Sequence, residues 1–167
     1  MTDIRKNRLI VQQNPNVRYR NVKKLYVTVY SREIPEAFFA TGASRLICAE
    51  PIKVNKIRIE TRAASKLQFK HVESTETDIQ MDDASSLDIA GKAETIYIDM
   101  SAASKLHAKD LETNRCDVKM SGASKAEVGT ILEELSVRAS GASHFDYRGT
   151  PTIKKREVSG AAKVRPY

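Results

Sequence analysis

Tryptophan is absent from this 167-residue chain, aromatic residues make up only 6% of it, and it holds just three histidines and two cysteines. Each scarcity excludes something. The core has to be built from aliphatic and small side chains, since there are too few rings to fill one. Two cysteines cannot supply the several bridges that staple small secreted domains. No CxxC, HExxH or calcium-loop pattern is present, so neither metal nor cofactor is called for. No apolar run reaches the length of a membrane span, and Met1-Thr2-Asp3-Ile4-Arg5 is too polar to open a secretory signal. On that ground the chain reads either as cytoplasmic or as the mature part of an exported protein.

What is present suffices for one domain. Hydrophobic residues make up 41% of the sequence, enough for a core without a staple. The formal charge is +7, from 28 Lys and Arg against 21 Asp and Glu. Such a balance suits a polyanionic partner (nucleic acid, anionic glycan or membrane surface) or simply a soluble basic surface. Basic residues crowd the opening segment (Arg5, Lys6, Arg8, Arg18, Arg20, Lys23, Lys24, Arg32) and the end (Lys154, Lys155, Arg156, Lys163, Arg165), as polar caps on an open stack would require.

The dominant feature is a repeat. Gly42-Ala43-Ser44, Ala63-Ala64-Ser65, Asp83-Ala84-Ser85, Ala102-Ala103-Ser104, Gly122-Ala123-Ser124, Gly141-Ala142-Ser143 and Gly160-Ala161-Ala162 follow one another at intervals of 21, 20, 19, 20, 19 and 19 residues. So short a period predicts stacked coils, each touching its neighbours, with no central cleft. Upstream of each serine, apolar residues alternate with polar ones, as in Ile96, Ile98 and Met100 around Tyr97 and Asp99. Downstream the alternation resumes, as in Leu67/Phe69 and Phe145/Tyr147. A period of two means strands with one wet face.

Each repeat therefore predicts two short strands joined at the Gly-Ala-Ser corner. A third side is polar, with anchors such as Ile52, Val72, Leu111, Ile131, Leu132 and Ile153 and turn residues Pro51, Gly91, Gly129, Gly149 and Pro151. Glycine or Asp at the corner's first position suits a positive φ, an account that Ala63 and Ala102 fit poorly. Alanine at the second position fits close stacking, and the serines form a ladder bonding to backbone at the bend. The expected fold is all-β: a single-stranded right-handed parallel β-helix, a solenoid of about six to seven coils with a period of about 20 residues, its hand set by the parallel-crossover rule. Residues 1–35 are expected to form an atypical N-terminal cap, with strand-like pieces at Leu9-Ile10-Val11 and Leu25 to Tyr30, and residues 36–167 one continuous domain whose first strand lies within Glu36 to Ala40. Cys48 and Cys116 stand 68 residues apart, which places them roughly 16 Å apart along the stack, too far for a disulfide. Two free, mostly buried thiols are expected.

The serial motif, as in Ser121-Gly122-Ala123-Ser124-Lys125 and Ser140-Gly141-Ala142-Ser143-His144, resembles the head GIN domain family of autotransporter adhesins over residues 36–167. The resemblance implies a right-handed parallel β-helix, a place in the cell envelope of Gram-negative bacteria or outside the cell, and an adhesive role. It brings no catalytic residues with it. Members of that family generally carry an export or lipoprotein signal.

Six equivalent serines at a structural corner argue for structure, and His144, next to Ser143, points to the opposite face of a strand. His107 shares a repeat position with Asp88, Glu127 and Asp146, which predicts an exposed stacked row, either a metal-ligating face or a solvated face of mixed charge. Asp78, Asp99, Asp117 and Asp82-Asp83 are the carboxylates a polysaccharide-active enzyme would draw on, but a thin solenoid offers little wall for a cleft. The position after each serine reads Arg45, Lys66, Ser86, Lys105, Lys125, His144, Lys163. Stacked, Arg45, Lys66, Lys105, Lys125 and Lys163 make a basic row suited to a polyanion, or a row of lysines that discourages association between sheets. Specific nucleic-acid recognition is not expected, as stacking aromatics are scarce. These observations favour a non-enzymatic envelope β-helix that binds a surface glycan or other envelope polymer. The alternatives are a polymer-forming scaffold of bactofilin type and, behind it, a polysaccharide-active enzyme. A homo-oligomer is compatible with either of the first two.

Overall fold

The computed structural model describes residues 2–5, 8–13, 16 and 25–167. The chain falls into two compact units, Met1–Glu33 and Ile34–Tyr167. In the first, β1 (Thr2–Arg5) and β2 (Arg8–Val11) pair antiparallel, with Thr2 opposite Val11 and Arg5 opposite Arg8. The strand expected at Leu9 to Val11 is therefore present. Leu25 to Tyr30 is not a strand: the backbone is irregular there and Tyr26, Val29 and Tyr30 are exposed. Strand composition is only a preference for a pleated, half-buried surface, and these residues pair with no other described strand. Of the basic residues in the opening segment, Lys6, Arg18, Arg20, Lys23 and Lys24 lie outside the described residues.

The second unit is entirely parallel sheet wound on itself. It runs β3 (Ala37–Ala40), β4 (Arg45–Cys48), β5 (Ile52–Thr61), β6 (Lys66–Met81), β7 (Ser86–Met100), β8 (Lys105–Ala108), β9 (Leu111–Met120), β10 (Lys125–Ala139), β11 (His144–Arg148), β12 (Thr152–Val158) and β13 (Lys163–Pro166). These make a β-solenoid of about seven turns with a period of about 20 residues. Equivalent residues lie over one another, as in Ile57 opposite Thr77, Thr77 opposite Ile96, Ile96 opposite Cys116 and Cys116 opposite Leu135.

Period-two alternation places every second side chain in the interior. Ile57, Ile79, Ile96, Val118, Leu135 and Val137 from the strand before the corner, and Leu67, Leu87, Leu106, Ala126 and Phe145 from the strand after it, are wholly buried. Each Leu, Ile or Phe so enclosed is worth about 1.5–3 kcal/mol against exposure. Cys116 is buried and Cys48 only partly so, and both thiols are free. Burial pushes the Cys116 thiol well above its ordinary range and raises that of Cys48 against an opposing hydrogen bond to the Glu50 carbonyl.

The third side is strand rather than a run of turns. β6, β7 and β10 continue around the bend, at the cost of register shifts between Phe69 and Val72 and between Val128 and Thr130. Gly91 and Gly129 sit inside these long strands because a Cβ there would stand 2.0 Å from the Val72 carbonyl oxygen and 2.3 Å from that of Leu111, respectively. Leu132 and Ile153, expected as anchors, are exposed. Leu132 follows the buried Ile131, and neighbours in a strand face opposite ways.

The corners carry the most informative detail. All seven first positions have φ between +52° and +69°, including Ala63, Asp83 and Ala102. At the first three corners the second residue (Ala43, Ala64, Ala84) is also left-handed, whereas the second residues of the later four are not. Hydrogen bonding changes with it. Ala43 and Ala64 donate N–H to the coil that follows, at Ala63 O (2.8 Å) and Asp83 O (2.9 Å), while Ala123, Ala142 and Ala161 donate to the coil before, at Ala102 O (2.7 Å), Gly122 O (2.8 Å) and Gly141 O (2.8 Å). The N–H and C=O of a trans peptide point opposite ways. So the corner carbonyl faces backward in the first three coils and forward in the last four.

That reversal resolves Ala63 and Ala102. Where the preceding corner carbonyl faces forward, the next corner has no room for a side chain: a Cβ on Gly122 would lie 2.7 Å from Ala102 O, and Gly141 and Gly160 meet the same obstacle. Ala63, Asp83 and Ala102 each follow a coil whose carbonyl faces away. The second-position alanines are exposed, so no buried contact limits their size. The serine ladder is partial. Ser104 and Ser124 donate to the carbonyls three residues back at 2.8 and 3.0 Å, and Ser65 joins Arg62 O, Ala40 O and Thr61 Oγ1. The Ser85 and Ser143 hydroxyls are buried without a partner among the described residues, and Ser44 is exposed.

Candidate contact face

The strands following the corners, residues 45–48, 66–70, 86–90, 105–109, 125–129, 144–148 and 163–167, form one face of the solenoid. Its first column is the basic row. Arg45 lies opposite Lys66, Lys66 opposite Ser86, Ser86 opposite Lys105, Lys105 opposite Lys125, Lys125 opposite His144 and His144 opposite Lys163. Inward neighbours such as Leu67, Leu106 and Ala126 anchor the strands, so the alternating residues must face water. Parallel register then sets the charges about 4.8 Å apart.

Two residues along, a second column reads Gln68, Asp88, His107, Glu127, Asp146, Arg165. This stacked row was legible from the repeat and contains both signs, but it is not exposed throughout, as Asp146 is buried against Arg165. Lys66 Nζ meets Asp88 at 2.7 Å, Lys125 Nζ meets Glu127 at 2.9 Å, and Arg165 Nε meets Asp146 at 2.7 Å. His107 and Lys109 each lie 3.5 Å from Glu127. The Lys125 hydrogen bond, helped by His107 and Lys109 and opposed by burial, holds the Glu127 carboxyl below the usual carboxylate range. Among the described residues, no group of three or more His, Cys, Asp and Glu side chains is placed to hold a metal.

Lys70, Lys109 and Arg148 add basic charge near the ends of these strands. Lys109 and Arg148 stand 5.8 and 5.1 Å from the Tyr167 ring centroid, within reach of cation–π attraction. The whole face bears nine basic side chains against three acids, while the rest of residues 34–167 bears eleven against sixteen. The solenoid is close to neutral in total and strongly segregated around its axis. Repeat alignment had found the first column and, in Asp88, His107, Glu127 and Asp146, most of the second; the segregation needed Lys70, Lys109, Arg148 and Arg165 as well. Lys105 and Lys163 have no ion pair or side-chain hydrogen bond among the described residues. An open depression of about 510 Å³ lies between Gln68, Asp88, His107, Lys109 and Glu127.

Of the carboxylates weighed for catalysis, Asp83 sits exposed at a corner, while the others lie on the face before the corner and pair with cations of adjacent coils. Asp78 approaches Arg58 at 3.7 Å, Asp99 approaches Lys119 at 3.4 Å, Asp117 approaches Arg138 at 3.5 Å and Asp82 approaches Arg62 at 3.7 Å. Asp82 also accepts from the Ser101 hydroxyl. His144 Nδ1 lies 3.1 Å from the Ala142 carbonyl oxygen while Ser143 is buried, so the two do not face one another as base and nucleophile.

Comparison with solved structures shows where this architecture recurs. A "putative adhesin" from Bacteroides fragilis superposes with a TM-score of 0.91 at 16% identity, over 100% of this chain and 76% of that one. A "putative adhesin" from Parabacteroides merdae gives 0.69 at 14%, over 79% of this chain and 63% of that one. A "putative lipid binding protein" from Parabacteroides distasonis gives 0.70 at 13%, over 79% and 61%. The chain thus spans less than two thirds of the length of the latter two, and at such identities the likeness is one of fold. No curated protein matches the sequence. The family model described as "Putative auto-transporter adhesin, head GIN domain" matches residues 1–151, and the chain belongs to that family.

Proposed function

We propose that the solenoid is a non-enzymatic binding module of the cell envelope, an adhesin that holds an anionic surface glycan or other acidic envelope polymer along the face after the corners. The observation that supports this most is the segregation of charge, nine basic side chains against three acids on that face and the opposite balance elsewhere. A polymer with a charge on each sugar can meet such a ladder at many points, each weak alone and screened by salt. Membership of an adhesin family agrees with a binding role and with an envelope or extracellular address.

The test is retention on an immobilised polyuronate. Replacing Lys66, Lys105 and Lys125 together by Glu should weaken binding by at least about tenfold, because charge reversal in a complementary surface adds repulsion to lost attraction. Melting of the variant checks that the fold is kept. Unchanged retention by a folded variant would overturn the reading.

A further inference from the structure

The reversal of the corner peptide has an unavoidable product. Asp83 O accepts from Ala64, so the N–H of Ala84, on the same peptide, points to the coil that follows. Ala102 O accepts from Ala123, so the N–H of Ala103 points to the coil before. These two donors face each other across one strand spacing. The other five second-position N–H groups all find carbonyls; these two have no backbone partner among the described residues. Both residues are exposed.

Further uncommitted donors surround them. Ser86 and Lys105 lie directly opposite one another at the start of the following strands, and neither side chain has a partner among the described residues. The Ser85 hydroxyl, beside Ala84, is 1% exposed and unpartnered. The Ser85 hydroxyl is closed off from solvent, but two N–H groups facing one another beside the Lys105 ammonium and the Ser86 hydroxyl make a cluster of donors that favours an anion. We propose that the junction between the third and fourth corners binds a single oxyanion, a sulfate or carboxylate group that accepts from Ala84 N–H and Ala103 N–H together, with Lys105 supplying countercharge. Two acids sit nearby. Asp82 is engaged with Arg62 and Ser101. Asp83 is exposed and opposes the anion, which keeps the affinity of the natural sequence modest. This site rests on backbone donors and stands apart from the reading of the face as a polymer contact.

The experiment is a titration of the ¹⁵N-labelled protein with sodium sulfate at constant ionic strength. The amides of Ala84 and Ala103 should shift together on one saturable curve, while those of Ala64 and Ala123, tied to carbonyls, move far less. Asp83→Asn should tighten binding several-fold, since Asn keeps the left-handed backbone and removes the repelling charge. Lys105→Gln should weaken it. Addition of dextran sulfate distinguishes the sources: displacement of sulfate assigns the group to a polymer, and sulfate held without displacement assigns it to a free ion, the site standing in both cases. Equal movement of all four amides, separate curves for Ala84 and Ala103, or no tightening in Asp83→Asn would overturn the proposal.

Discussion

The first three coils and the last four solve the same turning problem in two ways. Early corners hold two successive residues in the left-handed region and turn their carbonyl backward; late corners hold one and turn it forward. For an L-residue each left-handed position costs about 1–2 kcal/mol, so the late form is locally cheaper. It transfers a constraint to its neighbour, because a forward carbonyl occupies the space of the next corner's Cβ. Glycine at 122, 141 and 160 meets that constraint, and Ala63, Asp83 and Ala102 could not. Choice of residue at one corner is thus set by the peptide orientation of the corner before it. The reversal falls after the third corner because the methyl of Ala102 requires the Asp83 carbonyl to face away.

The sharpest break in this comparison comes from giving both regions the same new methyl. Gly122→Ala should destabilise the fold by about 3 kcal/mol, the sum of a left-handed Ala and a 2.7 Å backbone collision that only a shift of coils can relieve. Gly42→Ala meets nothing within 4 Å. It should cost only about 1 kcal/mol, for the left-handed residue alone. Chemical denaturation of the pair measures the difference directly, and equal losses would refute the account of the glycines.

Much of this molecule could be read from its sequence, for a reason that also explains what could not. A strand's inward residues are chosen by burial, and burial repeats with the coil, so Ile79, Ile98, Val118 and Val137 announced a stacked column. The serial Gly-Ala-Ser motif marked the corners and the column of Arg45, Lys66, Lys105, Lys125 and Lys163. Leu25 to Tyr30 misled because strand composition does not supply a partner strand. Leu132 misled because an apolar residue next to the buried Ile131 has to point outward. The junction at Ala84 and Ala103 was beyond reach, since peptide orientation leaves its trace in the residue one coil later. Ala63 and Ala102 were that trace, and they were legible only as exceptions.

A smaller effect separates the two halves of the charged face. Glu127 sits where Lys125, His107 and Lys109 converge, and its carboxyl is held below the ordinary range. A carboxylate whose folded pKa is depressed adds stability above the unfolded pKa, and that contribution fades as pH falls through the lower folded value. Glu127→Gln should therefore reduce stability near neutral pH and flatten its decline on acidification. Gln68, the equivalent residue three coils earlier beside Asp88, has no such charge, and Gln68→Ala should leave the acid limb unchanged. Parallel acid limbs for Glu127→Gln and the unmodified protein would remove Glu127 from the account.

The smallest loss of stability is expected where the two regions meet, and it is the most informative about the reversal. Ala102→Gly removes the methyl that holds the Asp83 carbonyl backward. Relief of a left-handed alanine, about 1 kcal/mol, is largely offset by the greater freedom of an unfolded glycine, about 0.4–1 kcal/mol, so the substituted residue itself should shift stability by a few tenths, and release of Ala84 adds about 1 kcal/mol in favour of the fold. With the obstacle gone, the third corner is free to adopt the cheaper forward form, releasing Ala84 from the left-handed region. Ala103 N–H then finds Asp83 O, while Ala64 N–H loses it. Hydrogen exchange reads this without ambiguity, with protection rising at Ala103 and falling at Ala64. Retained protection at Ala64 would mean that something other than the Ala102 methyl fixes the third corner, and the rule linking each corner to the one before it would fail at the place where it is needed most.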